Sequence, residues 1–323
     1  MLPPESAACV RAAVQSGTGD LVVHDRAMQL VRDSSPGTRL SSGATIIAWP
    51  LQGIVSEDSQ AFERMMVLPL TDFQYAKQGR SVGRCELTMP DGRHVVYLKR
   101  YLKAASRWQA FLSLAAPSVE NCPAFAEWRN HLRASAWSLP VPQVVAVGES
   151  IGPWFRHRSL IAIQELHDML PLHLAVAEAA RLKTAATFRI WKYSVAREVA
   201  RLVVLLHRHH YFHKDLYLSH FFCPLKDIQA DSVRQGTIHL IDLHRLHFHP
   251  WLGLRWKAQD LAQLLYSSEL PQIDRRDRLC FLRGYLGRGN SARPVLSWMV
   301  RIQAWHFRNH NARMHSPVKG TPR

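Results

Sequence analysis

His213-Lys214-Asp215-Leu216-Tyr217-Leu218-Ser219-His220-Phe221-Phe222 (HKDLYLSHFF, residues 213–222) places one carboxylate in a loop crowded with apolar side chains. With Tyr211 and Phe212 just upstream, Asp215 has few polar neighbours, and a carboxylate so surrounded has either a partner or a task. The segments on either side are regular. Residues 194–210 put Val195, Val199, Leu202, Val203 and Leu206 on one helical stripe, with Arg197, Glu198, Arg201 and Arg208 elsewhere. Downstream, Ile238-His239-Leu240-Ile241 reads as a short apolar strand leading to Asp242. Helix resumes over residues 256–267 and continues to about Asn309.

The preceding third of the chain has a different texture. Arg84 to Met89 runs into Pro90-Asp91-Gly92, a turn signature, and then Val95 to Lys99, which predicts an antiparallel hairpin with Lys99 near its end. Residues 124–137 share Phe125, Trp128, Leu132 and Ala136 on one helical face, with Glu127 in the first half. Val144–Val147 and Leu160–Ile163 are two further strands, the second ending at Gln164-Glu165. Strands with one helix, then helices around one polar loop, imply an α+β chain. We divide it into an appendage (1–45), a sheet lobe (46–165), a mainly helical lobe (166–309) and a basic tail (310–323).

Bulk composition narrows the function. Lys and Arg number 41 against 25 Asp and Glu, a net charge of +16, so polyanions are attractive partners without any one being selected. Five scattered cysteines, with no CxxC pair, argue against a disulfide framework or a cysteine zinc site and fit a reducing compartment. The start of the chain lacks a signal peptide's pattern, and the longest aliphatic run, Leu202–Leu206, is far short of a membrane span, so a cytoplasmic protein is expected. No RNA- or DNA-binding motif accompanies the charge, which disfavours nucleic acid as partner.

Lys99, Glu127, Asp215 and Asp242, in that order on strand, helix, loop and strand end, supply what phosphoryl transfer needs. A Lys neutralises phosphates, a Glu steadies the Lys, one Asp takes the acceptor proton and another holds the metal. His213-Lys214-Asp215-Leu216 also matches the protein-kinase catalytic loop, with Lys in place of its usual Arg. The likeness is more specific still. HKDLYLSHFF, LIDLHR and RWKAQDLAQLLYSS, with RCELTMPDGRHVVYLKRY and SLIAIQELHD upstream, resemble the lipopolysaccharide kinase (Kdo/WaaP) family over roughly residues 79–285.

That resemblance implies a bilobal protein-kinase-like fold, ATP and Mg²⁺ as cofactors, and a lipid-linked saccharide of the lipopolysaccharide inner core as acceptor. The enzyme would work at the inner face of the inner membrane, against an anionic surface. It implies Lys99 and Glu127 as the phosphate-steadying pair, Asp215 as base, Asp242 as metal ligand and Glu165 on the hinge that meets the nucleotide. His213, Lys214 and Asp260 take supporting roles, Asp260 by fixing the catalytic loop. His220 stands where protein kinases have a metal-binding Asn. Because Mg²⁺ prefers oxygen ligands, contact with a phosphate or the acceptor stays open for it. Gly79 and Gly83 (GRSVG) are the only glycines offered for a phosphate loop.

Other patterns carry less. The histidines at 207–213 and 239–249 match no zinc-ligand spacing and read as structural or phosphate-facing. Gly287-x-Gly289-x-x-Ala292 follows a helix rather than a strand, so it fails as a dinucleotide fingerprint. Residues 99–112, with Lys103, Arg107 and Trp108, read either as a basic membrane-surface helix or as an ordinary amphipathic one. A kinase with a protein or small-molecule acceptor and a scaffold without turnover are the rival functions.

Overall fold

The computed structural model describes residues 45–50, 54–56, 58–77, 79–89, 92–103, 122–151, 157–251, 253–287 and 293–314. The chain divides into two units, Met1–Leu132 with Pro142–Glu165, and Arg133–Val141 with Leu166–Arg323. The appendage at 1–44, the end of the tail (315–323) and Trp108 lie outside the described residues.

The first unit is a seven-stranded antiparallel sheet. Its strands are β1 (Thr45–Trp49), β2 (Ile54–Ser56), β3 (Thr71–Lys77), β4 (Arg80–Met89), β5 (Gly92–Lys103), β6 (Val144–Ile151) and β7 (His157–Gln164), in the order β2-β1-β6-β7-β5-β4-β3. Helix α1 (Ser59–Val67) belongs with it, as do residues 123–132 of α2 (Pro123–Ala136), where the sequence predicts only the second helix. Alternation along each strand sorts side chains between them. Leu160 and Ala162 of β7, with Val96 and Leu98 of β5, join Phe62 and Met65 of α1. Ile161 and Ile163 join Ala124, Phe125 and Trp128 of α2. Full burial of a side chain such as Phe62 stabilises the unit by about 1.5–3 kcal/mol.

The same parity places Lys99. It pairs with Ile161 across the β5–β7 ladder, so it stands on the α2 face. The hairpin expected at residues 84–99 is present and longer, since β5 continues to Lys103. Residues 99–103 are therefore strand, not the start of a basic helix. Val96-Tyr97-Leu98-Lys99 alternates with period two, and the β7 ladder extends that register to Lys103.

The second unit is built on α4 (Ala185–Arg208), preceded by β8 (Met169–Pro171) and α3 (Leu172–Leu182). Trp191, Leu202, Val203 and Leu206 of α4 enter a core shared with Leu172, Leu216, Phe221, Leu240 and Leu261. Two short ladders then frame the polar loops. Strand β9 (Tyr211–Phe212) pairs with β12 (His247–Phe248), and β10 (Phe221–Pro224) pairs with β11 (His239–Leu240) and β8. A short helix α5 (Leu225–Gln229) follows β10. Asp215 lies between β9 and β10, and Asp242 between β11 and β12, so the two ladders hold both loops at one place. Helices α6 (Gly253–Ser267), α7 (Arg275–Leu286) and α8 (Arg293–Met314) complete the unit. Residues 310–314, expected in the basic tail, are the last turn of α8.

Candidate active site

In the first unit Lys99 Nζ lies 2.7 Å from Glu127 Oε1, and the Tyr101 hydroxyl donates to Glu127 Oε2 at 3.0 Å. Both charges are nearly out of water, Lys99 at 7% and Glu127 at 0% exposure. A buried ion pair gains little net stability against its desolvation, whereas an ammonium fixed in place is a ready counter-ion for a phosphate. Lys99 and Tyr101 sit two residues apart on one strand face, which is why both reach the same carboxylate.

The two glycines differ. Gly79 occupies the turn between β3 and β4 with φ +75°, where a Cβ would come within 2.2 Å of the Leu102 carbonyl oxygen. Gly83 is inside β4, and a Cβ there would meet Leu70 Cβ at 2.7 Å. GRSVG is thus one turn glycine and one packing glycine, not a continuous glycine loop. Glu165 accepts from Arg84 Nε at 2.9 Å and its backbone N–H donates to the Val95 carbonyl at 2.9 Å. Its side chain therefore has an ionic partner within its own unit, which also raises the Arg84 pKa.

In the second unit the loop 213–216 is gripped by one face of α6. The Asp260 carboxylate, fully buried, accepts the backbone N–H of His213 and that of Lys214, each at 2.8 Å. It also meets His207 Nε2 at 3.2 Å, whose other ring nitrogen is 2.8 Å from the Tyr285 hydroxyl. One turn on, Gln263 brackets Asp215: its Oε1 accepts from Leu216 N at 3.0 Å, and its Nε2 donates to the Lys214 carbonyl at 2.8 Å. Ser267 Oγ accepts from Leu218 N at 3.0 Å. Residues 260, 263 and 267 share a helical face. Asp260 is the residue the sequence put forward to fix this loop, whereas Gln263 and Ser267 were not foreseen. The signal was available as polar residues at i, i+3 and i+7 around the apolar residues of LAQLLY (261–266).

Two histidines set the spacing of the loops. His213 is fully buried, and burial holds its imidazole below the usual value, so the neutral ring donates Nε2–H to the Ile241 carbonyl at 3.0 Å. His220 Nδ1 donates to the Asp215 carbonyl at 2.6 Å, while its own carbonyl accepts from Ile241 N at 3.0 Å. Asp242 follows in the left-handed region (φ 61°, ψ 55°) and opens a 3-10 turn, Leu243–Arg245. That turn brings Arg245 Nη1 to both oxygens of Asp215, at 2.9 and 2.8 Å, and His244 Nδ1 to Asp242 Oδ1 at 2.8 Å. Arg245 was not among the residues read from the sequence. Lys214 stacks its ammonium 4.4 Å from the Trp256 ring centre, and burial followed by Arg245 lowers its pKa.

The donor set suits a magnesium–nucleotide complex. Mg²⁺ needs one or two carboxylates beside phosphate and water oxygens, and Asp242 offers one. His220, with Nδ1 committed to the Asp215 carbonyl, has only Nε2 left for a ligand, which is a poor magnesium donor and a good phosphate or hydroxyl contact.

Comparison with known proteins gives the family. A family model described as "Lipopolysaccharide kinase (Kdo/WaaP) family" matches residues 75–285. The Pseudomonas aeruginosa lipopolysaccharide core heptose(I) kinase WaaP is 31% identical over 186 residues, 55% of this chain and 64% of that protein. The Escherichia coli WaaP is 28% identical over 162 residues, 50% of this chain and 59% of that protein. The chain thus spans under two thirds of the length of these curated relatives. A solved structure of WaaP in complex with acyl carrier protein superposes with a TM-score of 0.57 at 26% identity, covering 75% of this chain and 91% of that one.

Proposed function

The chain belongs to the lipopolysaccharide kinase (Kdo/WaaP) family, and we propose that it transfers the γ-phosphoryl group of ATP to a sugar hydroxyl, heptose or Kdo, of the lipopolysaccharide inner core. The observation that carries this reading is Asp215, presented on a loop clamped by Asp260 and Gln263, beside Asp242. Asp215 would accept the proton of the attacking hydroxyl through an oxygen that Arg245 orients. Lys99, steadied by Glu127, would neutralise non-transferred phosphates. Asp242 would hold Mg²⁺, which supplies charge neutralisation on the phosphates when bound. Positioning and fixed charge do most of the work in such a reaction. Gly79 and Gly83 keep the β3–β4 turn close to the sheet, and the backbone around Glu165 would meet the nucleotide base.

The acceptor places the enzyme on the cytoplasmic face of the inner membrane, as a peripheral protein on anionic lipid. Among the described residues no helix is long and apolar enough to cross a membrane. Mass spectrometry of core saccharide from cells with and without the chain tests the acceptor, with one phosphate expected to be missing. Purified protein should transfer label from ATP to that saccharide, and Asp215→Asn should abolish transfer with nucleotide affinity nearly intact. Transfer to general protein substrate and none to saccharide would replace this reading with a protein kinase.

A carrier protein is a second partner worth testing, because a WaaP structure holds one. What supports it here is a cavity of about 670 Å³ in the second unit, walled by Trp191, Val195, Leu261, Leu264, Phe281 and Leu286. Such a lining suits an acyl chain, and exposed Arg275 and Arg283 beside it suit an acidic protein. Pull-down with acylated and non-acylated carrier checks this; equal capture of both would remove the acyl chain from the argument.

A further inference from the structure

Helix α8 has two apolar faces, and among the described residues one of them is left exposed. Leu296 and Ala304 are buried against the second unit, with Val300 partly so. On the opposite side Trp298, Ile302 and Trp305 point outward, 64%, 37% and 55% exposed. Their spacing of four and three residues makes one stripe about 10 Å long. Large aromatic side chains left in water on a helix mark a contact surface.

Charge says what kind of surface. Residues 293–314 contain Arg293, Arg301, Arg308 and Arg313 and not one Asp or Glu. Arg301 is exposed one residue before Ile302, and Arg308 is exposed with Glu269 as its partner. A second copy of the chain would bring the same arginines, and the same net charge of +16, against them. Indole rings at both ends of an apolar stripe, with cations beside it, instead match the boundary between headgroups and acyl chains of an anionic bilayer. We propose that the outward face of α8 is the membrane-docking surface, with Trp298, Ile302 and Trp305 entering the headgroup layer and Arg301 meeting lipid phosphates. It deepens the reading of a membrane-linked acceptor and rests on it only for its biological purpose.

Co-sedimentation of the full chain with lipid vesicles tests it. The protein should sediment with vesicles of phosphatidylethanolamine plus phosphatidylglycerol and stay in the supernatant with phosphatidylcholine. Trp298→Ser with Trp305→Ser should lower the partition coefficient roughly tenfold or more, since each ring buries a large apolar area. Arg301→Glu should weaken binding and blunt its sensitivity to salt. Both residues are exposed, so the thermal midpoint of the double variant should match the parent's, and its transfer to delipidated core saccharide should be unchanged. Full vesicle binding by the double variant would overturn the proposal, as would a parent that ignores anionic vesicles. A parent dimer that the double variant converts to monomer would assign the face to a second copy. Loss of acyl-carrier capture with vesicle binding intact would assign it to that protein. Absent transfer by parent and variant alike, with the vesicle results as expected, would sink the acceptor and leave the docking surface standing.

Discussion

Asp260→Asn is the most informative single change, because it exchanges one carboxylate oxygen for an NH₂ and removes the charge without altering shape. In the parent each carboxylate oxygen accepts one backbone N–H, from His213 and from Lys214, at 2.8 Å. Asparagine keeps one acceptor and presents an NH₂ in the other place, so whichever way it turns one backbone donor faces another donor. The loss is one charge-assisted hydrogen bond, about 1.5–3 kcal/mol, plus an unsatisfied buried amide, about 1–3 kcal/mol. The sum, roughly 2.5–6 kcal/mol, brackets the usual cost of breaking a buried charged pair, about 3–5 kcal/mol. About a third of it felt at Asp215 would slow phosphoryl transfer roughly tenfold. Urea unfolding gives the global loss, transfer kinetics the local one, and hydrogen exchange at the His213 and Lys214 amides isolates the grip itself. Unaltered protection of those two amides would refute the idea that Asp260 holds the loop.

Glu127→Gln removes the carboxylate 2.7 Å from the buried Lys99 ammonium, a loss of up to ~3–5 kcal/mol in urea, and nucleotide affinity should fall with it; an unchanged midpoint would mean the pair does nothing. Gly83→Ala drives a methyl to 2.7 Å from Leu70 Cβ and should cost about 1–3 kcal/mol by calorimetry, where a neutral result would refute close packing at that strand. Arg245→Ala frees the Asp215 carboxylate, so kcat should fall with KM for ATP nearly constant, and Arg245→Lys should restore part of it; a pure KM effect would place Arg245 on a substrate instead. Burial holds the His239 imidazole below its usual 6.5, so above that pH its contribution is complete, and stability declines as acid protonates the unfolded chain first. His239→Gln should therefore flatten the fall in unfolding midpoint as the pH drops below about 6.5; an unchanged slope would count against it.

Much of the second unit was legible because its signals are long or chemically loud. Helix α4 carries an unbroken apolar stripe, and HKDLYLSHFF sets a carboxylate among aromatic rings. The α+β class followed from the switch between period two and period 3.6. Helix α1 was missed because it is short: nine residues, with Phe62 and Met65 buried, fall below the window over which helical periodicity is read. The stretch after Lys99 was misread because basic and aromatic residues look alike on a helix and a strand, and only the pairing with β7 decides. Arg245 was invisible for another reason. Its pairing with Asp215 depends on a left-handed residue and a tight turn, which no local pattern announces.

The shape of residues 213–218 is dictated from a helix more than forty positions later in the chain, by Asp260, Gln263 and Ser267. Loop and helix are therefore one inheritable unit, tied by hydrogen bonds rather than by closeness in sequence. Anyone transplanting the HKDL tetrapeptide into another scaffold must carry the D-x-x-Q-x-x-x-S helix with it. Without that companion, the graft would copy the letters of a base and lose the hand that aims it.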